Sequence, residues 1–318
     1  MDYSTSLALI FGGCCSNVWT YEQILRQSPK IGSALTFSQM LFITLQSLPS
    51  FVEWRKSRWG IIFPALKQRQ APISHWAAQV SLLTTGSLLN NWVYAFHVPL
   101  TVQIVFRSAG VVIAMILGRY LLHRRYTSRQ ILAVLLVSIG VSIASISTAS
   151  SNTSMTDLSR TYVYGILMLI ASLFATAILG ILQERTYRTY GPCWREGVFY
   201  THLLSLPIFL FLREDVIQGF ESLSNNSKES PISLPYIFMA LNLLTQVVCV
   251  SGVNKLTSAT SSVSTSVVLT VRKAISLCLS IWYFGSDWNY SLVFGAGMVF
   301  VGSLTYSTAG RSVVNKKE

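Results

Sequence analysis

Two long apolar segments of this chain carry basic residues far from either segment end. Arg107 lies within residues 99–118, and the pair Arg272–Lys273 lies within residues 261–285. A charged side chain near the middle of a bilayer costs ~2.5–3.5 kcal/mol on insertion scales, so such residues are uncommon unless they serve a function. The three cations therefore predict a pocket for an anion that crosses a membrane.

The composition of the chain agrees with a membrane-embedded protein. Charged residues make up 11% of the sequence, against about 25% in an ordinary soluble domain. Apolar runs of about 20 residues recur along the whole length and are typical of spanning helices. Residues 1–25 lack the basic start and the cleavage site of a signal peptide, so we expect them to form the first span. The fold class indicated is an all-α polytopic membrane protein.

The pattern predicts ten transmembrane helices, separated by segments of polar and turn-forming residues. The predicted spans cover residues 5–25, 33–52, 74–96, 99–121, 129–148, 161–182, 197–212, 234–254, 258–284 and 290–308. Lys and Arg concentrate in segments that become cytosolic when both termini are cytosolic, as the positive-inside rule requires. Three glycosylation sequons, at Asn152, Asn225 and Asn289, then fall in luminal segments.

Similar segments recur in the two halves of the sequence. TVQIVFRSAG at 101–110 aligns with SVVLTVRKAI at 266–275, which places the arginines of the two segments opposite each other. Further along, Gly140 aligns with Gly302. The identities are few, but their order indicates an internal repeat.

The predicted repeat has a geometric consequence. Because each half holds an odd number of spans, the halves must have opposite orientations in the membrane. The sequence therefore predicts two inverted five-helix repeats, residues 1–150 and 151–318, within a single membrane domain. Transporters built from inverted repeats bind their substrate near the bilayer midplane, where the repeats meet.

The buried cations suit the binding of phosphate. Arg272 and Lys273 are adjacent on a predicted helix, so they can flank one side of a pocket; an Arg fork grips phosphate in two places, and a Lys adds a point charge. Arg107 would provide a second contact from the other half. The alternatives are that Arg272 and Lys273 pair with Glu22 or Glu184, and that Arg107 serves as an interhelical hydrogen-bond partner. Polar residues follow the same helix, at Ser262, Thr265, Ser266, Thr270, Ser276 and Ser280.

Six further polar residues are candidates for substrate binding: Asn90, Asn91, Tyr200, His202, Glu22 and Glu184. The two asparagines serve equally well as polar contacts between helices. A lone histidine at the start of a span is more often structural. The two glutamates would bind a proton, gate the pathway, contact a sugar hydroxyl or face water at the interface.

Several other classes of function are disfavoured. The chain has no HExxH, G-x-S-x-G or Walker A motif, so we expect no enzyme, no cofactor and no metal site. The net charge of +12 belongs mainly to short loops, where membrane topology explains it better than nucleic acid does. The five cysteines form no CxxC pair and are interpreted as small packing residues rather than redox or metal ligands: Cys14, Cys15, Cys193, Cys249 and Cys278.

Eight segments, spread in order over nearly the whole chain, match a known family: FGGCCSNV (11–18), TFSQMLFIT (36–44), NN (90–91), PLTVQIVFRS (99–108), ERTYRTYG (184–191), FYTHLLSLP (199–207), TQVVCVSGVN (245–254) and LTVRKAISL (269–277). Together they resemble the nucleotide-sugar transporters of the drug/metabolite transporter superfamily. More narrowly, they resemble the branch that includes the yeast and animal UDP-N-acetylglucosamine transporters. The resemblance implies ten helices and exchange of a cytosolic nucleotide sugar for a luminal nucleoside monophosphate, in the Golgi or endoplasmic reticulum membrane.

Two motifs of the related GDP-mannose transporters can be compared by residue. Their F-Y-x-N-N-like motif for base and sugar corresponds to Phe199–His202 here, with the asparagines replaced. Their G-A-L-N-K motif corresponds to Leu269–Lys273, which keeps the phosphate-binding lysine but has Arg272 in place of asparagine. Both departures disfavour GDP-mannose, and FRS at 106–108 favours the UDP-N-acetylglucosamine and UDP-xylose group.

The resemblance also implies roles and partners. Arg107, Arg272 and Lys273 would hold the diphosphate of UDP-N-acetylglucosamine. UMP would occupy the same site on its way back to the cytosol. Membrane lipid would surround the protein as its other partner. UDP-xylose, UDP-galactose and a free nucleotide such as ATP are alternative substrates. The sequence is compatible with a homodimer but does not decide the oligomeric state. An alternative from another class is a membrane scaffold whose cations form buried salt bridges.

Overall fold

The computed structural model describes residues 3–28, 31–56, 62–93, 109–148, 160–228, 234–284 and 290–314. The described chain is mostly helical. The helices are α1 (Tyr3–Leu9), α2 (Cys15–Gln27), α3 (Gly32–Ser47), α4 (Ile73–Trp92), α5 (Gly110–Leu121), α6 (Ser128–Thr148), α7 (Arg160–Tyr190), α8 (Trp194–Ser205), α9 (Arg213–Lys228), α10 (Leu234–Ala259), α11 (Ser262–Phe284) and α12 (Tyr290–Val314). A π-helical turn, Ile10–Cys14, joins α1 to α2, and 3-10 turns at Leu48–Ser50 and Leu206–Leu210 follow α3 and α8.

Apolar helices lie where the sequence predicts spans. Two of them, Val163–Tyr190 and Leu234–Ala259, are long and apolar enough to cross a membrane. Shorter apolar helices occur at Gly110–Leu121, Ser128–Ile143 and Val293–Tyr306 among the described residues. The predicted helical character is confirmed in that the described chain is mostly helical, while the set of ten spans stays a prediction.

Two of the segments predicted to separate spans contain regular structure. Strands β1 (Val52–Lys56) and β2 (Ile62–Leu66) pair in an antiparallel arrangement, with Val52 opposite Leu66. Residues 213–228, which lie between the predicted spans 197–212 and 234–254, form helix α9. Glu214 and Asp215 in the first turn favour the helix electrostatically, and Leu223 is fully buried against a cluster of apolar side chains.

The described chain divides into two compact units. Unit 1 comprises residues 1–80 and 186–259, and unit 2 comprises residues 81–185 and 260–318. Each unit combines segments from both predicted halves of the sequence.

In unit 1, α1, α2 and α10 approach closely. A Cβ atom at Gly13 would lie 2.9 Å from the amide nitrogen of Cys249, and one at Gly252 would lie 2.9 Å from the Cβ of Leu9. This approach brings Cys14 and Cys249 into a disulfide, with their Cα atoms 4.5 Å apart. The interpretation of all five cysteines as packing residues is therefore wrong for these two. Cys15 and Cys193 are not part of a disulfide, and the side chain of Cys278 lies outside the described residues.

In unit 2, α6 and α12 cross at two glycines that the sequence alignment had paired. A Cβ atom at Gly140 would lie 2.7 Å from the carbonyl oxygen of Gly295, and one at Gly302 would lie 2.9 Å from the carbonyl oxygen of Ala133. Gly140 and Gly302 are 162 residues apart, and so are Ala133 and Gly295. The contact is thus reciprocal: each helix presents its glycine to the equivalent carbonyl of the other, with the two helices antiparallel.

Candidate functional site

A cavity of about 320 Å³ opens within unit 2. Its walls come from α4, α5, α7 and α11. Helix α11 contributes Ser262, Ser266, Thr270 and Lys273, and positions spaced by three or four residues lie along one face of a helix. Three of the polar residues noted on this helix from the sequence therefore line a cavity, with a cation at one end of the row.

Hydroxyl groups form much of the polar wall, and the hydrogens of three of them are already engaged. Ser172 donates to the carbonyl of Gly86 at 2.7 Å, and Thr176 donates to the carbonyl of Ser172 at 2.9 Å. On α11, Thr270 donates to the carbonyl of Ser266 at 2.8 Å. A hydroxyl oxygen keeps its acceptor capacity when its hydrogen is used. The wall therefore offers acceptors, which suit the N–H and O–H groups of a base or sugar.

The cations of α11 differ in their surroundings. Lys273 is exposed on the wall of the cavity, whereas Arg272, on the adjacent face of the helix, is half-buried. Each also interacts with another group of the protein. An ammonium on a flexible stem is a point charge that can meet a phosphate inside such a cavity.

Glu184 lies near the end of α7 and is 1% exposed. One carboxylate oxygen forms an ion pair with Arg124. The other accepts a hydrogen bond at 2.7 Å from the backbone N–H of Ser262, the first residue of α11. The carboxylate thus joins the cavity helix to the loop between α5 and α6.

The structure places Tyr200 and His202 in unit 1, on α8. Tyr200 is 3% exposed and packs beside Phe51 and Phe199, and the Arg69 guanidinium lies 5.9 Å from the centre of its ring. His202 is also buried, and its Nδ1–H donates to the carbonyl of Val198 at 2.6 Å. Both side chains are thus held by neighbours from their own unit.

Glu196 is a buried carboxylate that the sequence reasoning did not single out. It accepts hydrogen bonds from the backbone N–H groups of Gln70 and Ala71, at 2.8 and 3.1 Å, and from the indole N–H of Trp76 at 3.1 Å. These contacts fasten the segment after the hairpin to the start of α8, with Arg69 over Tyr200. The available signal was an acidic residue in the first turn of a helix.

A second polar network in unit 1 was also missed. Asn242 on α10 is fully buried, and its side-chain oxygen accepts from Gln39 at 2.6 Å. Its side-chain nitrogen donates to the carbonyl of Asn17 at 3.1 Å and to the hydroxyl of Thr20 at 3.0 Å. The amide therefore holds α2, α3 and α10 together, as polar groups do between membrane helices.

The other site residues predicted from the sequence are Glu22, Asn90, Asn91 and Arg107. Glu22 is half-buried on α2 in unit 1. Asn90 and Asn91 lie on α4 in unit 2, with side chains outside the described part, and Arg107 lies outside the described residues altogether. Where the structure describes the chain, no three His, Cys, Asp or Glu side chains come together as a metal site.

Comparisons with known proteins identify the family of the chain. It matches the UAA transporter family over residues 3–310. The chain belongs to the UAA transporter family. Because this is a family of transporters, the chain is a membrane transporter and not an enzyme.

Relatives in this family are similar along almost their whole length. The chain is 36% identical over 308 residues to the UDP-N-acetylglucosamine transporter yea4 of Schizosaccharomyces pombe, covering 96% of this chain and 95% of the relative. It is 36% identical over 323 residues to UDP-N-acetylglucosamine transporter YEA4 of Saccharomyces cerevisiae, covering 95% and 93%. It is 33% identical over 330 residues to the UDP-xylose and UDP-N-acetylglucosamine transporter of Danio rerio, covering 98% and 96%.

A solved crystal structure has a similar fold. It superposes with a TM-score of 0.62 at 13% sequence identity, over 94% of this chain and 98% of that one. At this identity the similarity concerns the fold alone.

Proposed function

We propose that this UAA transporter carries UDP-N-acetylglucosamine from the cytosol into the lumen of the Golgi or endoplasmic reticulum in exchange for UMP. The observation that carries the proposal is the cavity of unit 2, where Lys273 stands at the end of a row of hydroxyls on α11. A cation suits the phosphates, and hydroxyl oxygens suit the neutral base and sugars. The names of the relatives supply the substrate class.

In this proposal the phosphates lie beside Lys273 and Arg272, with Arg107 as a further contact. Asn90 and Asn91 would meet the uracil, ribose or sugar. For Tyr200 and His202 of unit 1, contact with uracil, ribose or sugar stays a prediction from the resemblance. Glu22 stays a candidate for ordering the pocket, and the role of Glu184 is developed in the next subsection.

The transport cycle we propose is alternating access between two inverted repeats of five helices, with both termini cytosolic. The reciprocal contact of Gly140 and Gly302 supports such a repeat, since each glycine meets the equivalent carbonyl of the other helix.

Exchange follows from the charge of the site. Charged groups are costly to place within a membrane, and a returning anion in the cavity reduces that cost while the carrier reorients. UMP keeps the phosphate and base of the imported substrate, so it can occupy the same contacts. We therefore expect exchange to be much faster than net uptake.

The experiment is uptake of radiolabelled UDP-N-acetylglucosamine into proteoliposomes that contain the purified protein and either UMP or no nucleotide. Uptake several times faster with internal UMP supports the antiporter. Equal uptake in both contradicts exchange. Unlabelled UDP-xylose, UDP-galactose and ATP, added outside as competitors, identify which ligand the site prefers. Failure of every nucleotide to enter or compete would contradict a nucleotide-sugar cargo.

A further inference from the structure

The carboxylate of Glu184 is engaged from both sides. A buried carboxylate is stable only when its charge is paired and hydrogen-bonded. Glu184, 1% exposed, meets this requirement with the Arg124 guanidinium on one oxygen and the Ser262 N–H on the other. Its described contacts are thus with the protein itself, although the sequence suggested it as a substrate ligand.

The hydrogen bond from the Ser262 N–H to Glu184 lies at the first residue of α11. The first N–H groups of a helix have no acceptor within the helix, and negative charge is favourable beside them. Glu184 therefore acts as a cap from outside α11 and fixes the position of its first turn. The cap also occupies the electropositive start of the helix, which would otherwise attract an anionic ligand.

Helix α11 connects this fixed end to the cation of the cavity. Lys273 follows Ser262 by eleven residues, which is about 16 Å along a helix. Both residues line the same cavity. Because a helix is rigid over this length, a shift or rotation of its first turn displaces Lys273 relative to the walls formed by α4 and α7.

The other partner of Glu184 is itself anchored. The backbone N–H of Arg124 donates to the carbonyl of Gly118 at 3.2 Å, at the end of α5. Two residues further on, the Tyr126 hydroxyl lies only 2.5 Å from where a Cβ atom of Gly118 would be. The loop that carries Arg124 is therefore packed onto α5, and Glu184 ties α11 to this packed loop.

We infer that Glu184 is a positioning residue, whose carboxylate sets the start of α11 and thereby the place of Lys273 in the cavity, without contacting the transported sugar. The inference rests on the proposed function of that cavity. It predicts that loss of the carboxylate weakens every ligand that uses Lys273, whatever sugar the ligand carries.

The test is equilibrium binding of UMP, UDP and UDP-N-acetylglucosamine to the purified full-length protein. We expect Glu184→Gln to weaken all three by the same factor, roughly tenfold, the loss expected for one charge-assisted contact. Glu221→Gln, which removes an exposed acid on α9, is the matched control and leaves binding unchanged. Weakening of UDP-N-acetylglucosamine alone would show a direct sugar contact and overturn the inference, as would unchanged binding of all three.

Two further measurements separate positioning from loss of folding. The number of binding sites per molecule falls if the variant is misfolded, whereas the dissociation constant changes if Lys273 is displaced. Should Glu184→Gln not fold, Arg124→Gln must weaken the binding of the three ligands equally, and Arg124→Lys must restore it. Wild-type binding by Arg124→Gln overturns the inference.

Lys273→Ala tests the proposed function separately. If this variant binds the ligands normally, the proposed phosphate site is wrong. If it alone loses binding, only the role of Glu184 is wrong.

Discussion

Each compact unit buries a glutamate, but the two carboxylates are satisfied by different kinds of partner. In unit 1, Glu196 is 5% exposed and accepts from two backbone amides and an indole, all of them neutral. In unit 2, Glu184 is 1% exposed and accepts from one arginine and from the first amide of α11.

The difference lies in what each carboxylate holds. Glu196 fastens a connecting segment to α8, so its loss disturbs packing within unit 1. Glu184 fixes the end of a helix whose other residues line the cavity, so its loss reaches a ligand contact about 16 Å away. We therefore expect substitutions of Glu196 to act on stability, and substitutions of Glu184 to act on affinity.

The largest effect on stability should come from Glu196→Ala. The change leaves three donors without their acceptor, and each unsatisfied buried donor costs about 1–3 kcal/mol. We expect the free energy of unfolding to fall by roughly 3 kcal/mol or more, with the UMP dissociation constant of the folded fraction unchanged. Thermal unfolding in detergent and UMP titration check the two parts. A tenfold larger UMP dissociation constant, as expected for Glu184→Gln, would show that both glutamates act on affinity.

The disulfide is the second test of unit 1. Replacing Cys14 and Cys249 together by serine should lower the stability of the protein by about 2–4 kcal/mol, the usual contribution of a disulfide, and again leave UMP affinity unchanged. Mass spectrometry of unreduced peptides checks the bond itself. Alkylation of either residue without a reductant would contradict the disulfide.

Cys193 should react slowly with alkylating reagents at neutral pH, because burial raises the pKa of its thiol to about 11.

The smallest effect should come from Tyr126→Phe in unit 2. The hydroxyl is buried with no hydrogen-bond partner among the described residues, so its removal should be neutral or stabilise the protein by up to about 1 kcal/mol.

The Tyr126 substitution also changes the dependence on pH. Burial raises the pKa of the phenol from 10.0 to about 12. The unfolded chain therefore releases this proton more readily, and the free energy of unfolding should fall between pH 10 and about pH 12. Tyr126→Phe should have a shallower fall over this range, measured by chemical unfolding at several pH values. Identical slopes for the two proteins would contradict the burial of an unpartnered hydroxyl.

The sequence predicted the helices and the cavity face of α11 because both follow from periodicity. The spacing of Ser266, Thr270 and Lys273 is sufficient to put them on one side of a helix. It did not predict α9 or the hairpin, since their polar residues also suit irregular connections.

The buried polar contacts of both units could not be predicted from the sequence, for a different reason. The donors to Glu196 are mainly backbone amides, which leave no mark in a residue pattern. For Glu184 the sequence offers the cations of α11 as partners, but it gives no sign of the contacts with Arg124 and the Ser262 amide. The bond of Cys14 to Cys249 joins positions 235 residues apart, and no short motif reports such a distance.

In the proposed function, Lys273 holds the phosphate of the transported nucleotide in the cavity of unit 2. UMP binding to purified Lys273→Ala and Lys273→Arg tests this role, beside Lys67→Ala, which removes an exposed cation of unit 1. We expect Lys273→Ala to lose UMP binding, Lys273→Arg to retain part of it, and Lys67→Ala to bind as the wild type does. Normal UMP binding by folded Lys273→Ala would show that the phosphate lies elsewhere.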